Sequence, residues 1–258
     1  MNLINRFKQT YSDITIISDR NLLRYLRVPQ LVVFSTIQPV IFLLLFAYVF
    51  GGAIKVPGFD YINFLIPGIF IQTAIFGSMM TGVGLADDLS QGMIDRFRSL
   101  PIARSAVLAG RIIADTIRNT FVLILMTGVG YLIGFRFGGN VGTAVLSLLI
   151  ALFLGFAFSW IAAAIGLAVK NTETAQVAGF IWVFPLMFAS SLFVPIETMP
   201  KMLKAAAGVS PITLAVDAVR ALALQGKLTN DLWFAMLWLA GIFLVFVPLS
   251  VYLYRKNT

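Results

Sequence analysis

The chain has 258 residues, 59% of them hydrophobic and only 12% charged, with a mean hydropathy of +0.93; an ordinary soluble domain is about 45–50% apolar and about 25% charged. The net charge of +8 therefore fits basic loops retained on one side of a membrane better than nucleic-acid binding, and no nucleic-acid partner is expected. The absence of Cys and His excludes disulfides, thiol chemistry, His metal sites and His-based acid–base catalysis or triads.

Residues 1–29 precede the first apolar run. Leu3, Phe7, Tyr11, Ile14 and Ile17 recur at helical spacing, with Arg6, Lys8, Asp13 and Asp19 between them. This predicts an amphipathic helix lying in the interface. The motif SDRN offers a cap and restart before Arg20, Arg24 and Arg27. The helix reads either as a plain positive-inside anchor or as one that also packs on a cytoplasmic partner. With so many residues ahead of the first run, that run is expected to be a permanent span rather than a cleaved signal.

Six mostly apolar, uncharged runs follow: Leu31–Phe50, Tyr61–Ala86, Asn119–Phe135, Val141–Val169, Thr174–Ile196 and Leu232–Tyr254. A helix needs about 20 such residues to cross about 30 Å of hydrocarbon. Asn119–Phe135 is shorter, but extends backward through SAVLAGRIIADTIR. The expectation is an all-α polytopic membrane protein with six transmembrane helices over residues 30–258, since lipid requires each span to satisfy its own backbone. No internal duplication supports an inverted-repeat transporter.

The first span carries Gln38 and Pro39; the second carries Pro67, Gly68, Gln72 and Thr73, then GSMMTGVGLA. Small residues and isolated amides serve helix packing or line a polar route. Gln38, Phe42, Phe46, Gln72 and Phe76 are candidates for a substrate path. The third helix, roughly Ala106 to Gly134, holds Arg111, Asp115 and Arg118 at i,i+4 and i,i+3 spacing. One carboxylate between two guanidiniums at membrane depth is either a gate or relay, or a structural ion pair. Beyond Pro185, the stretch 197–226 is too long for a turn and too oily for a solvated loop. Ser210–Pro211 marks a helix start and Gly226 a stop. Two short amphipathic helices, about 199–207 and 211–225, would dip into the outer leaflet and return.

With the N-terminus inside, the cytoplasmic face holds Arg6, Lys8, Arg20, Arg24, Arg27, Arg96, Arg98, Arg104, Arg111, Lys170, Arg255 and Lys256. The outer face holds Lys55, Arg136, Lys201, Lys204, Arg220 and Lys227. That asymmetry puts both termini, and the loop between the second and third spans, in the cytoplasm. The loop reads DDLSQGMIDRFRSLPIARS. Leu89, Met93, Phe97 and Leu100 form one apolar stripe. Asp87 and Asp88 at the start and Arg96 and Arg98 at the end suit a helix dipole, and Pro101 ends the helix. Its three acidic and three basic residues, Arg104 among them, are balanced. Such a helix over 87–100 suits a protein groove better than anionic lipid; a solvated loop helix is the alternative.

The stretch from YINFLIPGIF to ADTIRN, with DRFRSLPIARSAVLAGR its most specific part, and then LFVPIETMP and SPITLAVDAVRAL, resembles the membrane subunit of type-2 ABC exporters, and among them the daunorubicin/doxorubicin-resistance (DrrB-like) permeases. The likeness covers roughly Gln38 to Gly226. It implies that 87–100 is the coupling helix seated in a groove of an ABC ATPase subunit. Asp87, Leu89, Met93, Asp95, Arg96, Phe97, Arg98, Leu100 and Pro101 then become the candidate coupling residues. No G-x-x-x-x-G-K-[ST] phosphate loop occurs, so ATP and Mg are expected on two copies of a partner chain, and none is bound by this one. A second permease, as a homodimer or as a homologous partner, would complete the pathway. The resemblance also implies a bacterial inner-membrane location and hydrophobic or amphiphilic, drug-like or lipid-like cargo, with lipid or polysaccharide export as an alternative. No catalytic or metal-binding residue is expected. Two rivals are a proton-driven efflux carrier, for which Asp115 is the only candidate carboxylate although its arginines hold it ionised, and a membrane transferase, for which Asp87–Asp88 lacks a second acidic cluster.

Overall fold

The computed structural model describes residues 3–51, 54, 60–93 and 104–256, with backbone alone for 3–9, 31, 34 and 104. Among these residues there are nine α-helices and no strand. They are α1 (Leu3–Arg27), α2 (Pro29–Leu45, continued by a π-helical turn Phe46–Phe50), α3 (Tyr61–Ser90), α4 (Arg104–Leu132), α5 (Val141–Val169), α6 (Thr172–Phe188), α7 (Lys201–Gly208), α8 (Pro211–Arg220, continued by a π-helical turn Ala221–Gln225) and α9 (Asn230–Lys256). The all-helical class agrees with the sequence reading.

Local chemistry sets most boundaries. Pro29 and Pro211 occupy first-turn positions, where a missing N–H costs nothing. The Asn140 and Asn171 side chains accept the amides of Thr143 (2.9 Å) and Thr174 (3.0 Å), and Ser210 Oγ accepts that of Ile212 (3.3 Å). The second outer helix ends, as anticipated, on left-handed Gly226 (φ 66°).

Several expectations need correcting. There is no restart at SDRN: Ser18 Oγ bonds back to the Ile14 carbonyl (2.8 Å) and across to the Gly110 carbonyl (3.1 Å), so it is not free to cap and α1 runs unbroken. Within the α1 stripe, Ile17 is buried against the bundle and Tyr11 is 71% exposed. The fifth apolar run does not stay helical to Ile196. The helix stops at Phe188, after the internal Pro185, where Ser190 Oγ turns back onto the Met187 carbonyl (2.5 Å) and the Ser191 amide is taken by Thr213 (3.2 Å).

The expected helix break before Asp87 is absent. α3 continues through Asp87, Asp88 and Leu89 to Ser90, because the first terminator it meets is Gly92, whose φ of +65° leaves the right-handed region. The two aspartates therefore sit at the C-terminal end of α3, where the dipole disfavours them, and not at the start of a separate helix.

By length and composition, four helices can cross a membrane: α3, α4, α5 and α9. The number becomes five if α7 and the α8 segment to Gln225, bent by 73°, form one broken span. Ser35–Phe50 is a shorter apolar helix. α6, at 17 residues, reaches about 26 Å at about 1.5 Å per residue.

α3 is the axis of the bundle. Its apolar window is 94% buried, against 22% for α9, which leaves α9 as the peripheral, lipid-facing element. α3 packs most extensively on α5, and also on α4 and α6; α1 lies on α4; α9 lies on α5 and α8. Between α3 and α5 the backbones nearly touch: a Cβ on Gly166 would fall 2.1 Å from the Gly82 carbonyl oxygen, and one on Gly82 would fall 2.3 Å from that of Ala162. Without a hydrophobic force between helices in lipid, such close approach is the main source of association. Gly166→Leu is expected to lower the detergent-solubilised melting point by the equivalent of about 1–3 kcal/mol. Gly241→Leu, facing open space, should leave it within experimental scatter.

Candidate functional site

The N-terminal half of α4 carries Arg111, Asp115 and Arg118 on one face, all buried, with Asp115 at 0% exposure. Arg111 Nε lies 3.6 Å and Arg118 3.9 Å from the Asp115 carboxylate. Helical spacing brings these three together; the fold adds partners from two other helices. The Tyr25 hydroxyl of α1 donates to Asp115, and Thr81 of α3 donates to its other oxygen (2.6 Å). Arg118 donates to the Gly77 carbonyl (2.8 Å) and to the Tyr25 hydroxyl oxygen (3.2 Å), and stacks over the Tyr25 ring. Burial first, and then the Asp115 charge, push the Tyr25 phenol well above its usual range, so it stays a donor.

This network joins a second one at the end of α3. Arg111 donates to Asp88 (2.8 Å) and to the Gly84 carbonyl (3.3 Å). Arg24 of α1 pairs with Asp87 (3.1 Å) and lies 3.8 Å from Asp88. The unfavourable placement of two carboxylates at a helix C-terminus is thereby offset by two guanidiniums from other helices. The small residues of GSMMTGVGLA make room for this pairing. A Cβ on Gly84 would lie 1.6 Å from Arg111 Nη2, so glycine there admits the arginine. Asp87, Arg24, Arg111 and Arg118 border a half-open cavity of about 250 Å³. An open trough of about 450 Å³ lies nearby, lined by Arg20, Arg24, Arg27, Asp88, Gln91 and Met93. Among the described residues no three carboxylates converge to hold a metal.

Of the candidate coupling residues, Asp87 is salt-bridged to Arg24, Leu89 packs against the small core of Leu85, Leu108 and Trp160, and Met93 edges the trough. Asp95, Arg96, Phe97, Arg98, Leu100 and Pro101 lie outside the described residues.

Of the path candidates, Phe42, Phe46 and Phe76 join one aromatic cluster. Phe42 lies 6.2 Å from Phe46 and 6.4 Å from Phe76, Phe46 stacks on Phe193 at 4.4 Å, and Phe76 meets Phe184 at 5.9 Å. Gln72, one turn before Phe76 on α3, is fully buried, and neither of its amide atoms has a hydrogen-bond partner. Gln38 is half-buried one turn before Phe42.

Sequence reasoning missed a polar knot on the outer side. Arg220 pairs with Asp217 (2.7 Å), donates to the carbonyls of Ser191 (3.0 Å) and Phe64 (3.2 Å), and covers the Phe64 ring at 3.6 Å, while Ser191 Oγ donates to Asp217 (2.8 Å). The i,i+3 spacing of Asp217 and Arg220 was visible. The turn after α6 that meets it was not.

The Asp115 cluster gives a direct stability test. Asp115→Ala leaves the buried Arg118 without a carboxylate and Arg111 with Asp88 alone, and is expected to cost about 3–5 kcal/mol. Tyr25→Phe removes the bond donated to Asp115 and the one accepted from Arg118, and should cost about 1.5–3 kcal/mol. In a double-mutant cycle with Asp115→Asn, melting points should show the two losses to be non-additive.

A family profile described as ABC-2 type transporter matches residues 12–224. The daunorubicin resistance ABC transporter permease protein DrrB1 of Streptomyces coeruleorubidus is 35% identical over 241 residues, covering 92% of this chain and 84% of that protein. The probable doxorubicin resistance ABC transporter permease protein DrrC of Mycobacterium tuberculosis is 26% identical over 243 residues, covering 93% and 88%. The putative transport permease ycf38 of Cyanophora paradoxa is 22% identical over 226 residues, covering 81% and 73%.

Proposed function

The chain belongs to the ABC-2 type transporter family, and from that premise we propose how it acts as the membrane permease of an ABC exporter for hydrophobic compounds. Six helices cross a bacterial inner membrane with both termini in the cytoplasm, and α7 and α8 re-enter the outer leaflet. Two copies of the chain form the pathway. Each is served by an ABC ATPase subunit that binds ATP and Mg and seats the segment 87–100 in a groove.

The observation that carries the coupling step is the double tie at the end of α3, Arg24–Asp87 at 3.1 Å and Arg111–Asp88 at 2.8 Å. Closure of the ATPase pair pushes on 87–100. Because Asp87 is held by α1 and Asp88 by α4, that push moves α1, α3 and α4 together and does not simply bend the end of α3. The trough beside Met93, with Arg20, Arg24 and Arg27 against Asp88, would suit an acidic patch of a partner surface.

The cargo route runs along α2 and α3, through Gln38, Phe42, Phe46, Gln72 and Phe76. The similar proteins are named for daunorubicin and doxorubicin resistance, and flat, aromatic, amphiphilic molecules suit the phenylalanine cluster. Gln72 supports this reading. A buried amide without partners costs about 1–3 kcal/mol per unmet group, and a cargo atom that accepts or donates there would recover it.

Two measurements test the proposal. Asp95→Ala and Phe97→Ala should leave the chain in the membrane but abolish cargo-stimulated ATP hydrolysis by the reconstituted transporter; unchanged stimulation sinks the coupling assignment. Gln72→Leu should melt no lower than the parent protein yet bind cargo about tenfold more weakly, in keeping with one lost hydrogen bond. Unaltered cargo affinity would remove Gln72 from the route.

A further inference from the structure

The cavity of about 250 Å³ between α1, α3, α4 and the first turn of α6 is unequally charged. Arg24, Arg111 and Arg118 lie on its wall, and of the carboxylates only Asp87 does. Asp88 and Asp115 hold the arginines from behind. The side chains of Arg111 and Arg118 are 8% and 5% exposed. Three guanidiniums against one carboxylate on the wall of a single cavity favour an anion there. Arg24, with a side chain 45% exposed, stands at the mouth.

The cavity also has an apolar side. Met80 and Val83 line it, and Met80 is 37% exposed. Farther along α4, Ile117, Phe121 and Ile124 are 47%, 54% and 62% exposed. A ligand with an anionic head and apolar tails would match both halves at once. Guanidiniums are the side chains best matched to phosphate oxygens, and the cytoplasmic leaflet is rich in anionic lipid. A free anion would use the arginines but leave the apolar side uncovered.

We propose that this cavity binds the phosphate headgroup of an anionic phospholipid of the cytoplasmic leaflet, with Arg24 at the mouth, Arg111 and Arg118 within, and the acyl chains against the exposed side chains of α3 and α4. The bound lipid bridges α1 to α4 beside the Tyr25–Asp115 bond. It therefore holds α1 in place against α4. The inference shares only the membrane orientation with the transport reading and stands or falls apart from it.

The test uses the purified full chain in neutral detergent, with lipid retention counted by native mass spectrometry and stability followed by melting. Dioleoyl-phosphatidylglycerol should be retained about tenfold more tightly than dioleoyl-phosphatidylcholine, as one charge-assisted contact implies, and only the former should raise the melting point. Arg24→Gln, at the exposed mouth, and Val83→Phe, which fills the cavity without changing charge, should each erase that preference. If Val83→Phe fails to fold by circular dichroism, Arg24→Gln decides alone. Equal retention of the two lipids, or an undiminished preference in the variants, overturns the proposal. So does displacement of phosphatidylglycerol by millimolar inorganic phosphate, which would make the site one for a free anion.

Discussion

Asp115 is a fully buried carboxylate in the middle of three helices, and much of this end of the bundle is arranged to satisfy it. An isolated charge at this depth would cost several kcal/mol after relaxation. Here it is met by Arg111 and Arg118 from its own helix, Thr81 from α3 and Tyr25 from α1. Because each partner comes from a different element or turn, no helix can shift without exposing a buried charge. α1, which carries polar and charged side chains along its length, is thereby fixed to the membrane bundle by its Tyr25 end.

The same requirement explains local choices that look unrelated. Arg111 must pass close to α3 to reach Asp88, so position 84 is glycine. Asp87 and Asp88 stand at the wrong end of a helix for its dipole, and that placement becomes favourable only because Arg24 and Arg111 converge there. The outer half has a smaller counterpart in Arg220, which gathers Asp217, Ser191 and the Phe64 carbonyl and so ties α8 to α3 and to the turn after α6. Between the two polar anchors lies the phenylalanine cluster of α2, α3 and α6. The middle of the molecule is thus packed by apolar side chains and close backbone contacts, without ion pairs like those at either end.

Gln72, buried without a partner beside Phe76, is the local rule broken within that middle, and violations of this kind concentrate where a protein meets its ligand.

Sequence alone determined the all-helical class, the positions of the apolar helices, with Val141–Val169 matched end to end, and the pairing of Arg111, Asp115 and Arg118, because hydrophobic runs and i,i+3 or i,i+4 spacing act within one helix. Ser210–Pro211 and Gly226 were likewise legible, since caps are local hydrogen bonds. Tertiary structure alone decided what spacing cannot encode. It recruited Tyr25 and Thr81 to Asp115 from positions 90 and 34 residues away. It turned Ser18 from a cap into a contact with Gly110. It brought Arg24 and Arg111 to the two aspartates at the end of α3, offsetting the dipole penalty, a long-range electrostatic compensation that no window of neighbouring residues contains.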